Sequence, residues 1–234
     1  MLKNEKTNPE NIQILFEDNH LIIINKRSGD LVQGDKTGDL PLSEILKIFI
    51  KQRDNKPGNV YLGVVHRLDR PTSGIVVFAK TSKALTRLNK AFADKTPKKT
   101  YWAVVKHRPN PEADELMHYL KRNPKQNKSY AHTNAVPESK KAILSYKLIK
   151  SLDNYHLLEV DLATGRHHQI RSQLSKIGSP IKGDLKYGFD RSNPDGSIHL
   201  HARKLEIMHP VTKKEVSIQA PVPNQDAIWQ ACEI

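Results

Sequence analysis

Apolar residues come in short runs along this chain. Ile14-Leu15-Phe16 and Leu21-Ile22-Ile23-Ile24 are split by Asp18-Asn19, which predicts two strands around a turn within residues 12–25. Leu42, Leu46, Phe49 and Ile50 then recur at helical spacing, ahead of the polar stretch Gln52–Asn59. Val60–Val65 and Ile75–Ala79 read as strands on either side of a loop, His66–Gly74. Thr81 or Ser82 caps a helix with the apolar stripe Ala84, Leu85, Leu88, Ala91 and Phe92. A basic linker, Lys95–Thr100, leads to a strand at Tyr101–Val105.

From His107 to Lys141 the chain is polar and holds four prolines, at 109, 111, 124 and 137, so strand signals there are weak. Regular alternation returns at Ile143–Ile149 and His156–Leu162. Gly165–Gly178 predicts a helix with Ile170, Leu174 and Ile177 on one face and Gly178 as its stop. Leu205 and Ile207, then Val216, Ile218 and Ala220, flank a turn-rich stretch and predict a hairpin. Many strands with few helices point to an α+β fold, a mixed and mainly antiparallel β-sheet with flanking helices. Residues 1–11 are expected to be a loose tail and residues 12–234 a single domain.

Composition narrows the partner. The 234 residues carry 38 Lys and Arg against 25 Asp and Glu, a formal charge of +13, which suits a polyanion. No amphipathic basic helix or lipidation signal supports a membrane partner, and the run Leu21–Ile24 is too short to span a bilayer. The lone cysteine, Cys232, excludes an internal disulfide or a CxxC site and fits a cytoplasmic protein.

Two segments concentrate chemistry. In His66-Arg67-Leu68-Asp69-Arg70-Pro71-Thr72-Ser73-Gly74 a carboxylate sits on a shaped loop among cations and hydroxyls, a setting that favours its ionised form. Such a carboxylate can serve as nucleophile or base, or can merely cap the turn. The second segment, Thr164–Arg171, joins a strand to a helix; Arg171 neighbours the apolar stripe, and a buried arginine there calls for a carboxylate. A phosphate-binding helix start without catalysis fits this second segment as well.

HRLDRPTSG resembles the catalytic-loop signature of the RluA-type pseudouridine synthases. LATGRHHQIRSQLSKIGSPIKGDLKYG is similar to that family's second signature, and LHARKLEIMHP followed by APVP to its C-terminal one. NKRSG and KTYWAVV resemble its N-terminal element and its tyrosine strand, so the likeness runs from about Ile14 to Pro223 in the family's order. The resemblance implies an isomerase that turns uridine into pseudouridine in structured ribosomal or transfer RNA, with no cofactor and no metal. Asp69 is then the catalytic aspartate, Tyr101 packs on the flipped uracil and takes part in proton transfer at C5, and Arg171 holds Asp69 in a salt bridge. Arg67 fills the gap left by the flipped nucleotide and Leu174 lines the uracil pocket. Arg70, Thr72, Arg166 and His168, from the same two motifs, are further candidates for substrate contact.

The chain departs from the family pattern at Arg27, in place of a proline, and at His167, in place of a small hydroxyl residue. An N-terminal S4 domain is not expected ahead of a likeness that starts so early, and a monomer is expected because no exposed heptad is evident. The alternative reading is a non-catalytic RNA-binding or RNA-folding protein on the same scaffold. A metal-dependent hydrolase built on His66, His167, His168, His199 and His201 lacks a carboxylate at a recognisable spacing. An N-glycosidase needs a second carboxylate, for which Glu159 and Asp161 are candidates by proximity alone.

Overall fold

The computed structural model describes residues 6–35 and 37–233. The elements run β1 (Ile14–Glu17), β2 (Leu21–Lys26), α1 (Leu42–Arg53), β3 (Gly63–Val64), β4 (Ser73–Ala79), α2 (Ser82–Ala93) and β5 (Lys98–Val105). They continue with β6 (Ala113–Asn123), β7 (Lys128–His132), β8 (Lys140–Ser151), β9 (His156–Leu162), α3 (Gln169–Lys176), β10 (Leu200–Met208), β11 (Glu215–Gln219) and α4 (Ala227–Cys232). The fold is α+β, as the patterning predicts. Two compact units form, Met1–Pro97 with Ala202–Pro221 and Lys98–His201 with Val222–Ile234. No helix among the described residues is long and apolar enough to cross a membrane.

In the first unit the strand order is β1-β2-β4-β10, with β11 beside β10 and the short β3 on β4. β2 pairs antiparallel with β4, Ile22 facing Phe78 and Ile24 facing Val76. These four side chains are buried against Leu42, Ile45, Leu46 and Ile50 of α1, so the period of the helix meets the alternation of the sheet. Thr81 caps α2, its side chain accepting from the Ala84 N–H. The strand expected over Val60–Val65 shrinks to two residues. Of the expected loose tail, residues 1–5 lie outside the described residues; Thr7 is buried and its hydroxyl donates to Asp30 Oδ2 at 2.5 Å.

The second unit orders its strands β5-β9-β8-β6-β7. One face buries Ala103, Leu116, Leu144, Leu158 and Val160 against Ile170 and Leu174 of α3. Two strands, β6 and β7, occupy the stretch where sequence signals are weak. Buried residues of β6 do alternate, as Leu116, His118 and Leu120, but the middle one is polar and hides the period. His118 is accommodated by the fully buried Gln173, whose Nε2 lies 3.1 Å from His118 Nδ1 and donates to Leu116 O at 3.1 Å.

α3 is shorter than its expected span. It starts at Gln169, because His168 takes a left-handed φ of 52°. The Gln169 side chain folds back, its Oε1 accepting from Arg166 N at 2.9 Å and Thr164 Oγ1 at 2.8 Å, and Gln169 N closes a turn on Arg166 O at 3.1 Å, so the helix does not begin until Gln169. The expected stop at Gly178 is observed, with φ 82°.

Gly74 ends the His66–Gly74 loop at φ +112°, where a Cβ would lie 2.4 Å from Ala202 O and 2.5 Å from Ala202 N. Both the backbone angle and the neighbouring strand demand glycine. Gly74→Ala should therefore lower stability by about 2–3 kcal/mol. Urea denaturation measures this, and an unchanged midpoint would contradict the close approach of the two backbones.

Candidate active site

In the first unit the Asp69 loop is held from beneath by a lysine. The alternation of β2 puts Lys26 on the same face as Ile22 and Ile24, so its stem enters the core and only 1% of the residue is exposed. The ammonium donates to Arg27 O at 3.0 Å, Arg70 O at 3.0 Å and Thr72 O at 2.7 Å, which uses all three of its protons. Gly29 N donates to Arg70 O at 2.8 Å and Ser28 Oγ to Pro71 O at 3.0 Å, so the NKRSG turn clamps the loop over its middle. Inside the loop Thr72 N closes a turn on Asp69 O at 3.0 Å.

Burial pushes the Lys26 pKa down to about 7, against the pull of the Asp30 and Asp69 carboxylates. Desolvation disfavours the ammonium, and the nearby negative charges favour it. Asp69 is half-buried at the loop's centre, whereas Arg67 and Arg70 are exposed. Arg70 braces the loop from outside, Nε donating to Gly29 O at 3.1 Å and Nη2 to Asp39 Oδ2 at 2.5 Å. Thr72 is buried, with a hydroxyl that has no hydrogen-bond partner among the described residues. His66 stacks on Phe92 at 4.9 Å, and its Nε2 accepts from Val77 N at 3.1 Å, which anchors the loop's entrance to β4. At the departure from the family pattern, Arg27 donates from Nη2 to Asn11 O at 3.3 Å.

In the second unit Tyr101 lies on β5 opposite Val160 of β9 and packs against the apolar cluster that contains Leu174. Arg171 is 5% exposed. Its Nε and Nη2 donate to Asp184 Oδ2 and Oδ1 at 2.7 and 2.9 Å, a bidentate pair that answers the expected need for a carboxylate. The guanidinium also sits 5.0 Å from the centroid of the Tyr187 ring. Tyr187 OH accepts from Ser129 N at 2.8 Å and lies 2.9 Å from His168 Nδ1. Since its oxygen already accepts from an amide, the phenol proton is available for His168 Nδ1, leaving the other ring nitrogen protonated. Burial first, and then the neighbouring Arg171, drives the His168 pKa down to about 2, so this imidazole is neutral.

His167 stacks on His168 at 3.8 Å and meets Ser129 Oγ through Nδ1 at 2.8 Å. The substituted position thus ties β7 to the start of α3. Arg166 donates from Nε to Lys141 O at 3.1 Å. Glu159 pairs with Lys147 at 2.8 Å, and Asp161 accepts from Thr100 Oγ1 at 2.6 Å. Among the described residues no group of three or more His, Cys, Asp or Glu is placed to hold a metal ion.

Asp69, Arg67, Arg70 and Thr72 therefore share one loop of the first unit, and Tyr101, Arg166, His168, Arg171 and Leu174 belong to the second. Two supporting residues escaped the sequence reading. Lys26 was signalled by its in-phase position two residues after Ile24. Asp184, within the GDLKYG stretch, had no local signal, since its partner lies thirteen residues earlier.

The chain matches the family described as RNA pseudouridylate synthase over residues 20–176, and it belongs to that family. A Rickettsia felis protein named ribosomal large subunit pseudouridine synthase C is 35% identical over 217 residues, 90% of this chain and 67% of that protein. An uncharacterized RNA pseudouridine synthase of Bacillus subtilis is 33% identical over 91% of this chain and 69% of its own length. Among solved structures, human RNA pseudouridylate synthase domain containing 4 superposes with a TM-score of 0.75 at 25% identity, covering 91% of this chain and 89% of that one. Pseudouridine synthases are isomerases that act on RNA.

Two measurements check the site's electrostatics. Labelled-lysine NMR should find Lys26 titrating near 7, and Asp69→Asn should move that midpoint lower still, because it removes a charge that favours the ammonium. A midpoint near the ordinary 10.5 would refute the buried environment. Asp184→Ala removes the bidentate carboxylate from a buried guanidinium and should cost about 3–5 kcal/mol in unfolding free energy. A loss below about 1 kcal/mol would mean that the pair behaves as a surface one.

Proposed function

We propose that this chain converts particular uridines of structured ribosomal or transfer RNA into pseudouridine, with Asp69 as the catalytic carboxylate acting on a nucleotide that has left its stack. The observation that carries this reading is the Asp69 loop itself, clamped through backbone carbonyls by the buried Lys26. Positioning a carboxylate in advance removes the cost of ordering it when the substrate arrives.

The reaction breaks the bond between C1′ and N1 of uridine, turns the base, and joins C1′ to C5. The proton on C5 is lost and N1 gains one, so the product is an isomer and no electrons are exchanged. Asp69 stands at the sugar–base junction, Tyr101 packs on the detached uracil and assists proton transfer at C5, and Leu174 lines the apolar wall that retains the base. Arg67, exposed at the loop's rim, enters the gap left by the extruded nucleotide, whose unstacking costs about a few kcal/mol. Arg70, Thr72, Arg166 and His168 shape the surroundings of the substrate. The Rickettsia relative's name supports ribosomal RNA as one target class. The β6–β7 hairpin, with Lys121, Arg122, Lys125 and Lys128, offers charge for RNA phosphates. The protein is proposed to act in the cytoplasm as a monomer.

Asp69→Asn should reduce pseudouridine formation by at least about a hundredfold while RNA affinity stays within about twofold. Nucleoside mass spectrometry on ribosomal and transfer RNA, with filter binding on the same RNAs, reads both. Turnover that survives the substitution would remove Asp69 from the chemistry and favour an RNA-binding role for the scaffold.

A further inference from the structure

The second unit carries an open pocket of about 490 Å3 whose lining includes Lys106, Tyr155, Lys182, Phe189, Arg191 and Asn193. That volume falls within the range of roughly 300–1,000 Å3 common to small-molecule sites. Lys106 directly follows the last residue of β5, whereas Tyr101 lies near its start. At about 3.3 Å per residue, roughly 16 Å of strand separates the pocket from the tyrosine.

The pocket's cation is built in. Lys182 N donates to Val104 O at 2.9 Å and Lys182 O accepts from His199 N at 2.9 Å, so its backbone is fixed on the sheet. Its ammonium donates to Asn193 Oδ1 at 2.7 Å and stands 5.7 Å from the centroid of the Tyr155 ring. Asn193 is itself buried, its Nδ2 donating to Ser197 O at 3.0 Å and lying 3.0 Å from His199 Nδ1. An amide NH2 can only donate, so His199 Nδ1 accepts and Nε2 bears the proton, which it gives to Asp226 Oδ2 at 3.1 Å. The four side chains form one directed series, from Lys182 through Asn193 and His199 to Asp226. The series aims the ammonium without neutralising it.

Among the described residues no carboxylate lies within ion-pair distance of Lys182. Burial lowers its pKa, Asp226 and Asp195 opposing the shift. A cation short of solvation and without an ion pair is completed by an anion. Lys106 and the exposed Arg191 add positive charge at the rim; Asp190 also lines the pocket and is paired with Lys106 at 3.0 Å. Tyr155 and Phe189 are half-buried and supply aromatic surface beside these cations. Cation and aromatic surface side by side match a phosphate joined to a flat base.

We propose that this pocket binds a nucleoside monophosphate unit, the phosphate on Lys182 with Lys106 and Arg191, the base against Tyr155 and Phe189. The unit can come from an RNA strand held away from the reacting uridine or from a free mononucleotide.

Calorimetry of the full chain with uridine and adenosine 5′-monophosphates, uridine and inorganic phosphate tests the pocket without any turnover. The mononucleotides should saturate at millimolar concentration or below and bind more tightly than either uridine or phosphate alone. Lys182→Gln should weaken them about tenfold, and Arg191→Ala, which leaves the interior untouched, should weaken them in the same direction. Asp69→Asn should leave them unchanged. RNA affinity of the Lys182→Gln, Arg191→Ala double variant separates the sources: a fall of about tenfold assigns the pocket to the RNA strand, and an unchanged value with mononucleotide binding lost assigns it to a free nucleotide. The proposal is overturned if no mononucleotide saturates, if phosphate binds as well as the nucleotides, or if neither variant weakens them.

Discussion

A single buried ammonium sets the geometry of the first unit. Lys26 reaches in from the end of β2, and its three donors meet main-chain oxygens of Arg27, Arg70 and Thr72. A lysine so deeply buried is costly unless each donor is used. Here the cost is offset because the same three bonds hold the NKRSG turn to the loop that carries Asp69. Around that centre the rest follows in order: Gly29 and Ser28 tie the loop's far side, His66 ties its entrance, and Gly74 lets its exit pass flush against Ala202.

The second unit solves a related problem with a different charge. Arg171 lies on α3 among apolar neighbours, and Asp184 gives it a bidentate partner. The arginine's face is covered by Tyr187, and that ring's hydroxyl binds Ser129 and His168. One aromatic residue thereby connects the helix start, the β7 strand and the buried ion pair. The left-handed His168 belongs to this arrangement, since the turn it makes brings its imidazole onto the phenol.

Much of this was legible in the sequence. The strands β1, β2, β4, β8 and β9, the helices α1 and α2, and the closing hairpin all follow from the pattern, β2 and β4 as continuous apolar runs buried on both faces and the helices as stripes at helical spacing. The stretch that became β6 and β7 was obscured by His118 at a core position, and a histidine is tolerated there only because Gln173 arrives from α3. No window along one strand contains that information. α3 was expected to begin too early for a similar reason: the Gln169 side chain supplies hydrogen bonds that a helical turn would otherwise make. At the site, the aspartate loop and the arginine were visible as motifs. Asp184 was not, because a partner is fixed by the return of the chain and not by its neighbours in sequence.

The clamp beneath Asp69 grips oxygens that every amino acid carries. Changing the side chain at position 70 removes none of the acceptors that Lys26 holds, and the same is true of the carbonyl at position 72. The loop's shape is thus insulated from its outward chemistry. Substitutions at the exposed Arg67 can retune what the loop meets in solution while its backbone stays clamped, whereas Arg70 also braces the loop through Gly29 and Asp39 and is less free to change.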